Sequence, residues 1–431
     1  MDFINKYNNI HSIIKKIPKN NEVLLLGEST HGTEEFYQLR SDLTKYLIEN
    51  ENYNIVLFET DWFNLYNVNK YINNNSDTTN VEDVLVNINN FPEWLWKNNI
   101  IIELIEWFKI YNSLTNKNIY LLGLDCYLLI ESLTWLYIFL KLFDEELYEK
   151  IKKDLYFMNN FKKTQHFINA IMNNQLPVND IYFENYFQDL LITIQNKSDH
   201  YKNLCKERDI DIIAVISAEM CCDVIINSFE YFKKQYLEPP GSNASWNTRD
   251  QHMLMTTMKL KENIKNAKII IWAHNSHIGD ATASCNGGTD FSNNNTWNLG
   301  QMCRAMFSHT FIIGLGTCTG TVRAASKWNI EEEVFVLNLP IDISIESFIY
   351  KQCQILNIKN CYIDLNKCKT ITPYCNFVKQ RMIGVIYSPN TELQSHYVTY
   401  NISQQFDLYV FISQTTALEK IIPKKKFSQS F

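Results

Sequence analysis

The sequence predicts an α/β fold: a mostly parallel central β-sheet flanked by helices, with a helical insertion forming a lid. Three observations carry that reading. Short, continuously apolar runs recur along the chain, as strands buried on both faces do. Helical stretches separate many of them, which is the alternation expected of an α/β architecture. Between about residues 131 and 238 the strand-like runs stop, and aromatic and aliphatic residues recur at helical spacing.

In chain order, the apolar runs fall at 22–26, 55–58, 119–122, 268–272 and 311–313, then at 334–337, 382–386 and 408–412. A helix is expected over 33–50, with Thr33 as N-cap and Glu34 and Glu35 in its first turn. Another is expected over 100–114. Residues 119–143 are the best candidate for a membrane span, but Gly123, Asp125, Glu131 and Lys141 interrupt them, so a strand followed by a helix explains them better. Trp135, Phe139, Phe143, Phe157, Phe161, Tyr182 and Phe187 read as core of the helical middle, which ends near Pro239-Pro240-Gly241-Ser242. The expected division is therefore residues 1–130 and 246–431 as two parts of one α/β core, with 131–245 as the lid. Asn-rich loops such as Asn293-Asn294-Asn295 are the nearest approach to low complexity.

Bulk properties narrow the function classes. The chain has 431 residues, 46% hydrophobic and 13% aromatic, enough for a large core. A net charge of -7 leaves no electrostatic footprint for nucleic acid, and the Lys424-Lys425-Lys426 tail reads as a solvated terminus. Met1-Asp2-Phe3 does not begin a secretory signal. The eleven cysteines are scattered without CxxC spacing, and Cys361, Cys368 and Cys375 are too widely and evenly spaced for a usual zinc site. A cytoplasmic protein with reduced thiols is expected.

The chemistry gathers where the apolar runs end. The first ends in Gly27-Glu28-Ser29-Thr30-His31, the second in Glu59-Thr60-Asp61, the third in Gly123-Leu124-Asp125, and the fourth in Ala273-His274-Asn275-Ser276-His277. Ligands bind at the carboxyl edge of open parallel sheets, so four polar run ends together point to a site. His31 lies just before a helix N-terminus, whose positive potential disfavours imidazolium and suits a general base. Arg40 flanks the stripe Phe36, Leu43 and Leu47; buried there, it needs a carboxylate, and Glu28 and Glu59 are the candidates. No Gly-x-Ser-x-Gly elbow marks a serine hydrolase, and Gly27 and Gly32 do not form a phosphate loop.

The segments LGESTHGTEEFYQLR, FET, LGLD, WAHNSHIGD and RMIGVIYSP, followed by SHY and FDLYVFISQTTALE, together resemble the erythromycin esterase family. NTRDQHM and NLGQM also look like family segments. The resemblance runs from about residue 23 to 418, with the helical middle most divergent. It implies a water-activating base at His31, a carboxylate supporting it at Glu59, a further essential acid at Glu28, an arginine at Arg40, and a histidine pair at His274 and His277. It implies metal-independent hydrolysis of an ester or macrocyclic lactone, the chemistry of macrolide antibiotic resistance, with no cofactor and no membrane or nucleic-acid partner. Two alternatives use the same residues. The His/Glu set could hold a divalent metal that activates the water, or the chain, with its aromatic-rich middle, could bind a hydrophobic small molecule such as haem.

Overall fold

Among the described residues nine strands form one sheet, and two of its central members are apolar at every position. The computed structural model describes residues 3–421 except 77, 87, 89, 116, 239–241 and 285–295. Pro239 to Gly241, Asn293 to Asn295 and Lys424 to Lys426 thus lie outside the described residues. The strands are β1 (Ile4–Lys6), β2 (Val23–Leu26), β3 (Ile55–Asp61), β4 (Tyr120–Asp125), β5 (Ile269–Trp272), β6 (Thr310–Ala325), β7 (Glu332–Val336), β8 (Asn360–Asp364), β9 (Phe377–Arg381), β10 (Tyr397–Asn401) and β11 (Leu408–Thr415). Their order is β1-β8-β11-β6-β2-β5-β3-β4, with β7 paired to β6; β9 and β10 form a separate ribbon. Pairings from β11 through β6, β2, β5 and β3 to β4 are parallel, whereas β1–β8, β8–β11 and β6–β7 are antiparallel.

The apolar runs follow from burial on both sides. Successive strand residues point to opposite faces, so Val23 and Leu25 enter one core and Leu24 and Leu26 the other. Ile269 and Ile271 divide from Ile270 and Trp272 in the same way, as do Ile55 and Leu57 from Val56 and Phe58. Helices Glu34–Glu51 and Asn99–Thr115 cover the second face. On the first face lies a block of helices from Leu129–Phe143 to Ala244–Asn263, with no strand among the described residues between β4 and β5. Trp135, Phe139, Phe143, Phe157 and Phe187 are buried in that core and Phe161 packs against it, whereas Tyr182 is exposed. No helix among the described residues is long and apolar enough to cross a membrane.

Two expected strands differ. Run 334–337 falls on β7, an antiparallel hairpin partner of β6 with Val334 and Val336 exposed rather than a buried parallel strand. Run 382–386 is not a sheet strand at all. It crosses the sheet's carboxyl edge, making single bridges from Ile383 to Thr30 and from Ile386 to Ala325; its apolar residues cover a cavity and not a sheet face. Two short antiparallel strands, β1 and β8, extend the sheet beyond the runs read from the sequence.

Thr33 occupies the N-cap position of its helix, but its side chain makes no capping bond and pairs with the Thr30 hydroxyl instead. The turn before it is tight. A Cβ on Gly32 would lie 1.9 Å from the Arg323 carbonyl oxygen, so only glycine lets the His31 loop approach β6 so closely.

Candidate active site

β2, β5, β3 and β4 are consecutive in the sheet, so their carboxyl ends set His31, His274, His277, Glu59 and Asp125 along one edge. A cavity of about 380 Å³ opens there, lined by all five residues. Apolar walls come from elsewhere: Phe91, Leu95 and Trp96 on one side, Trp246 and Trp328 above, and Met382 and Val385 of the crossing segment. No described residue of 131–245 lines this cavity, whereas Trp246 and Arg249 of the block's last helix, Ala244–Asn263, do.

Two charge networks meet at the cavity. In the first, His31 Nδ1 lies 2.9 Å from Glu28 Oε1, and Arg40 Nη2 donates to Glu28 Oε2 at 2.7 Å. Arg40 is 1% exposed, and its guanidinium also sits over the rings of Tyr37 and Trp272, at 4.5 and 4.8 Å. Those ring faces receive the part of the cation that carries no hydrogen bond, since Nε and Nη1 have no acceptor. The carboxylate in hydrogen-bond contact with the His31 ring is Glu28. Glu28 lies three residues before His31 in the same turn and reaches its ring, whereas Glu59 on β3 is turned toward other partners.

Glu59 belongs to the second network. Its Oε2 accepts the His274 backbone N–H at 2.7 Å, and its Oε1 accepts from Arg249 Nη2 at 2.8 Å. Arg249 also grips Asp125 with two bonds, Nε to Oδ1 at 2.6 Å and Nη2 to Oδ2 at 2.8 Å. Arg249 Nη1 lies 2.8 Å from His277 Nε2, while His277 Nδ1 lies 2.7 Å from Asp250 Oδ1. Trp246 stacks on the His277 ring at 4.2 Å between centroids. Burial opposes ionisation of Glu59, but His277, His31 and Arg249 outweigh it and hold its carboxyl well below the usual range. Burial likewise works against a charged His277, yet Asp250 and Glu59 win and raise its pKa to about 9. Arg249 and Glu59 compete for Nε2: the 2.8 Å contact needs its lone pair, and the 3.3 Å contact to Glu59 needs its proton. A pKa of about 9 favours the charged ring near neutral pH, with Nδ1–H facing Asp250 and Nε2–H facing Glu59.

His31 and His274 face each other with ring centroids 4.8 Å apart, and their hydrogen bonds give them opposite tautomers. A carboxylate only accepts, so His31 carries its hydrogen on Nδ1 and a lone pair on Nε2. The Ser276 backbone N–H donates to His274 Nδ1 at 3.2 Å, so His274 carries its hydrogen on Nε2. That Nε2 is buried and makes no well-formed hydrogen bond, its polar neighbour being the Ser29 backbone. Burial, reinforced by His31, pushes the His274 pKa down to about 3, which keeps the ring neutral. One imidazole can take a proton while the other gives a hydrogen bond.

Several of the candidate metal donors are already paired. Arg249 already neutralises Glu59 and Asp125, and both ring nitrogens of His277 are engaged. Among the described residues no group of three or more His, Cys, Asp or Glu is arranged to hold a metal. Arg249, Asp250 and Trp246 had no role in the sequence reading, although the first two stand in the NTRDQHM segment. Their partners are 28 to 190 positions away for Arg249, so local patterning carries no trace of them.

Known structures share this architecture. A succinoglycan biosynthesis protein superposes with a TM-score of 0.72 at 18% identity, over 97% of this chain and 96% of that one. A Bacillus cereus protein gives 0.72 at 14% identity, over 98% and 97%. A mutant of the erythromycin esterase EreC in its open conformation gives 0.62 at 15% identity, over 96% of each. The sequence model of the erythromycin esterase family matches residues 48–415, starting after the turn that carries Glu28 and His31. That match spans most of the sequence, and this chain belongs to the erythromycin esterase family.

Proposed function

We propose that this protein hydrolyses an ester or lactone bond using a water molecule activated by His31, without a metal. The observation that carries the reading is the facing pair of imidazoles with opposite tautomers at the cavity floor. His31 Nε2 takes a proton from water as the oxygen attacks the carbonyl carbon. Glu28 fixes the His31 ring and stabilises the imidazolium that forms, as the acid of a catalytic triad does. Arg40 is a positioning residue: it is fully enclosed and acts by holding Glu28. His274 gives its Nε2–H to the oxyanion, a donor set in place before the charge develops. Glu59 fastens the His274 backbone and, with His277 and Asp125, holds Arg249 beside the reacting carbonyl.

The walls support a substrate with an apolar body, as a macrocyclic lactone has; Trp96, Trp246 and Trp328 offer it broad flat faces. The test is to incubate the purified protein with a panel of macrocyclic lactones and simple esters, before and after chelation. Mass spectrometry then reads products heavier by one water. Turnover that survives chelation is expected; turnover lost with the metal and restored by adding it back would refute the metal-free mechanism.

A further inference from the structure

The leaving oxygen of an ester also needs a proton, which either the protonated base or a separate acid can give. β3 contains a one-residue irregularity: Phe58 pairs with Gly123, but Asp61, three residues on, pairs with Asp125, two residues on. Such bulges re-aim side chains beside active sites. Here its effect is that three successive residues, Glu59, Thr60 and Asp61, all line the cavity, where a regular strand would send alternate residues to opposite faces.

Asp61 precedes helix Trp62–Ile72 but does not cap it. Its Oδ1 instead accepts the backbone N–H groups of Tyr127 and Leu128, at 2.5 and 2.8 Å. Both bonds go to one oxygen, which leaves Oδ2 for the cavity. The residue is 2% exposed. Its charged neighbours are acidic: Asp125, its partner across the strand pair, and Glu131 on helix Leu129–Phe143. Arg249, which also lines the cavity, spends bonds on Asp125 and Glu59. Burial pushes the Asp61 carboxyl well above the ordinary range and Asp125 pushes it further, against the two backbone donors. A carboxylic acid is thereby kept at the edge of a site whose base is a histidine, the pairing by which environments divide acid and base roles.

We propose that Asp61 is the general acid of this site, protonating the leaving alcohol oxygen from Oδ2. The proposal rests on the ester-hydrolase reading above. When the tetrahedral intermediate collapses, the bond between carbonyl carbon and alkoxy oxygen breaks, and its electron pair takes the Asp61 proton. The proton that His31 took from water returns to Asp61 through solvent, so the cycle consumes one water and releases one acid and one alcohol.

The experiment compares matched alkyl and p-nitrophenyl esters in wild type and Asp61→Asn. Asparagine keeps an Oδ1 acceptor for Tyr127 and Leu128, and circular dichroism checks the fold. A p-nitrophenolate leaves without a proton, whereas an alkoxide does not. Asp61→Asn is expected to lose about 10²-fold or more in kcat on the alkyl ester and little on the p-nitrophenyl ester. Equal loss on both, or none on the alkyl ester, overturns the assignment. Wild type supplies an independent check across alcohols of rising pKa: a shallow fall in kcat is expected, and a steep one contradicts assistance to the leaving group. Failure of wild type on every ester refutes the hydrolase reading and Asp61's role with it; equal loss in the variant refutes Asp61 alone.

Discussion

Glu28 and Arg40 form a buried pair in which each partner makes the other's burial tolerable, and the same carboxylate orients His31. Removing one side leaves an uncompensated charge, which costs about 3–5 kcal/mol in such pairs, whereas removing both together is much cheaper. Glu28→Gln and Arg40→Met should each destabilise by about that amount, and the double variant by less than their sum. Denaturant titration of the four proteins reads the coupling; additive losses would contradict it. Glu28→Gln should also slow hydrolysis in the restabilised double variant, because the amide can donate to Nδ1 and invert the His31 tautomer. The residue types at the site were readable from the polar ends of apolar runs, since a continuous run has no structural need to finish in Glu, His and Asp. Which acid meets which base was not readable. Glu28 and Glu59 are equivalent by pattern, and only the turn geometry brings Glu28 against His31.

At the scale of elements, the segment crossing the carboxyl edge is held by Arg381 at the end of β9. This buried side chain donates to the carbonyls of Cys318 and Asn338 at 3.0 and 2.7 Å and pairs with Glu392 at 2.8 Å. Its backbone N–H donates to Glu346 at 3.0 Å. Tyr387 ties Glu392 back to the segment at 2.8 Å. Met382, Val385, His396 and Val398 line the cavity on this same stretch, so its anchor governs the substrate wall. Arg381→Met should cost about 3–5 kcal/mol in stability. Below its melting point it should raise KM more than it lowers kcat, since the anchor touches no reacting group; steady-state kinetics beside thermal melts would show it, and an unchanged KM would contradict it. This stretch also explains why one apolar run misled. Residues 382–386 are apolar because they roof a cavity, and periodicity does not distinguish a roof from a strand. The central strands were legible for the opposite reason: both sheet faces are covered, so β2, β5 and β11 have few polar positions. β1, at the sheet's edge, and β8 beside it are short strands with mixed sequences and carry no such signal.

The whole molecule stores buried neutral histidines, and that sets its acid response. Burial lowers His252 and His274 to pKa values of about 3. In the unfolded chain both titrate near the ordinary 6.5, so between those values the unfolded state binds more protons and stability rises with pH. From about pH 6.5 towards 3 these two histidines therefore erode stability, while raised carboxyls such as Asp61 and Glu346 act in the opposite direction. The depressed Glu59 carboxyl adds to the loss below its unfolded pKa. Denaturant midpoints across that range check the sign, and His252→Gln should flatten the slope; an acid slope unchanged in that variant would remove His252 from the account. Architecture was the most legible level, because alternation of buried runs and helices constrains topology strongly. The place of the helical middle was less legible: helical spacing over 131–245 identifies helices but not the face they cover, and the cavity-lining Trp246 and Arg249 stand just beyond those bounds.

The central claim is that His31 is the base. Its most direct measurement is hydrolysis of one accepted ester by wild type and His31→Asn side by side, with circular dichroism spectra matched. The account predicts a folded variant whose kcat falls by about 10²–10⁴-fold. A folded His31→Asn protein that keeps most of the wild-type rate would contradict it.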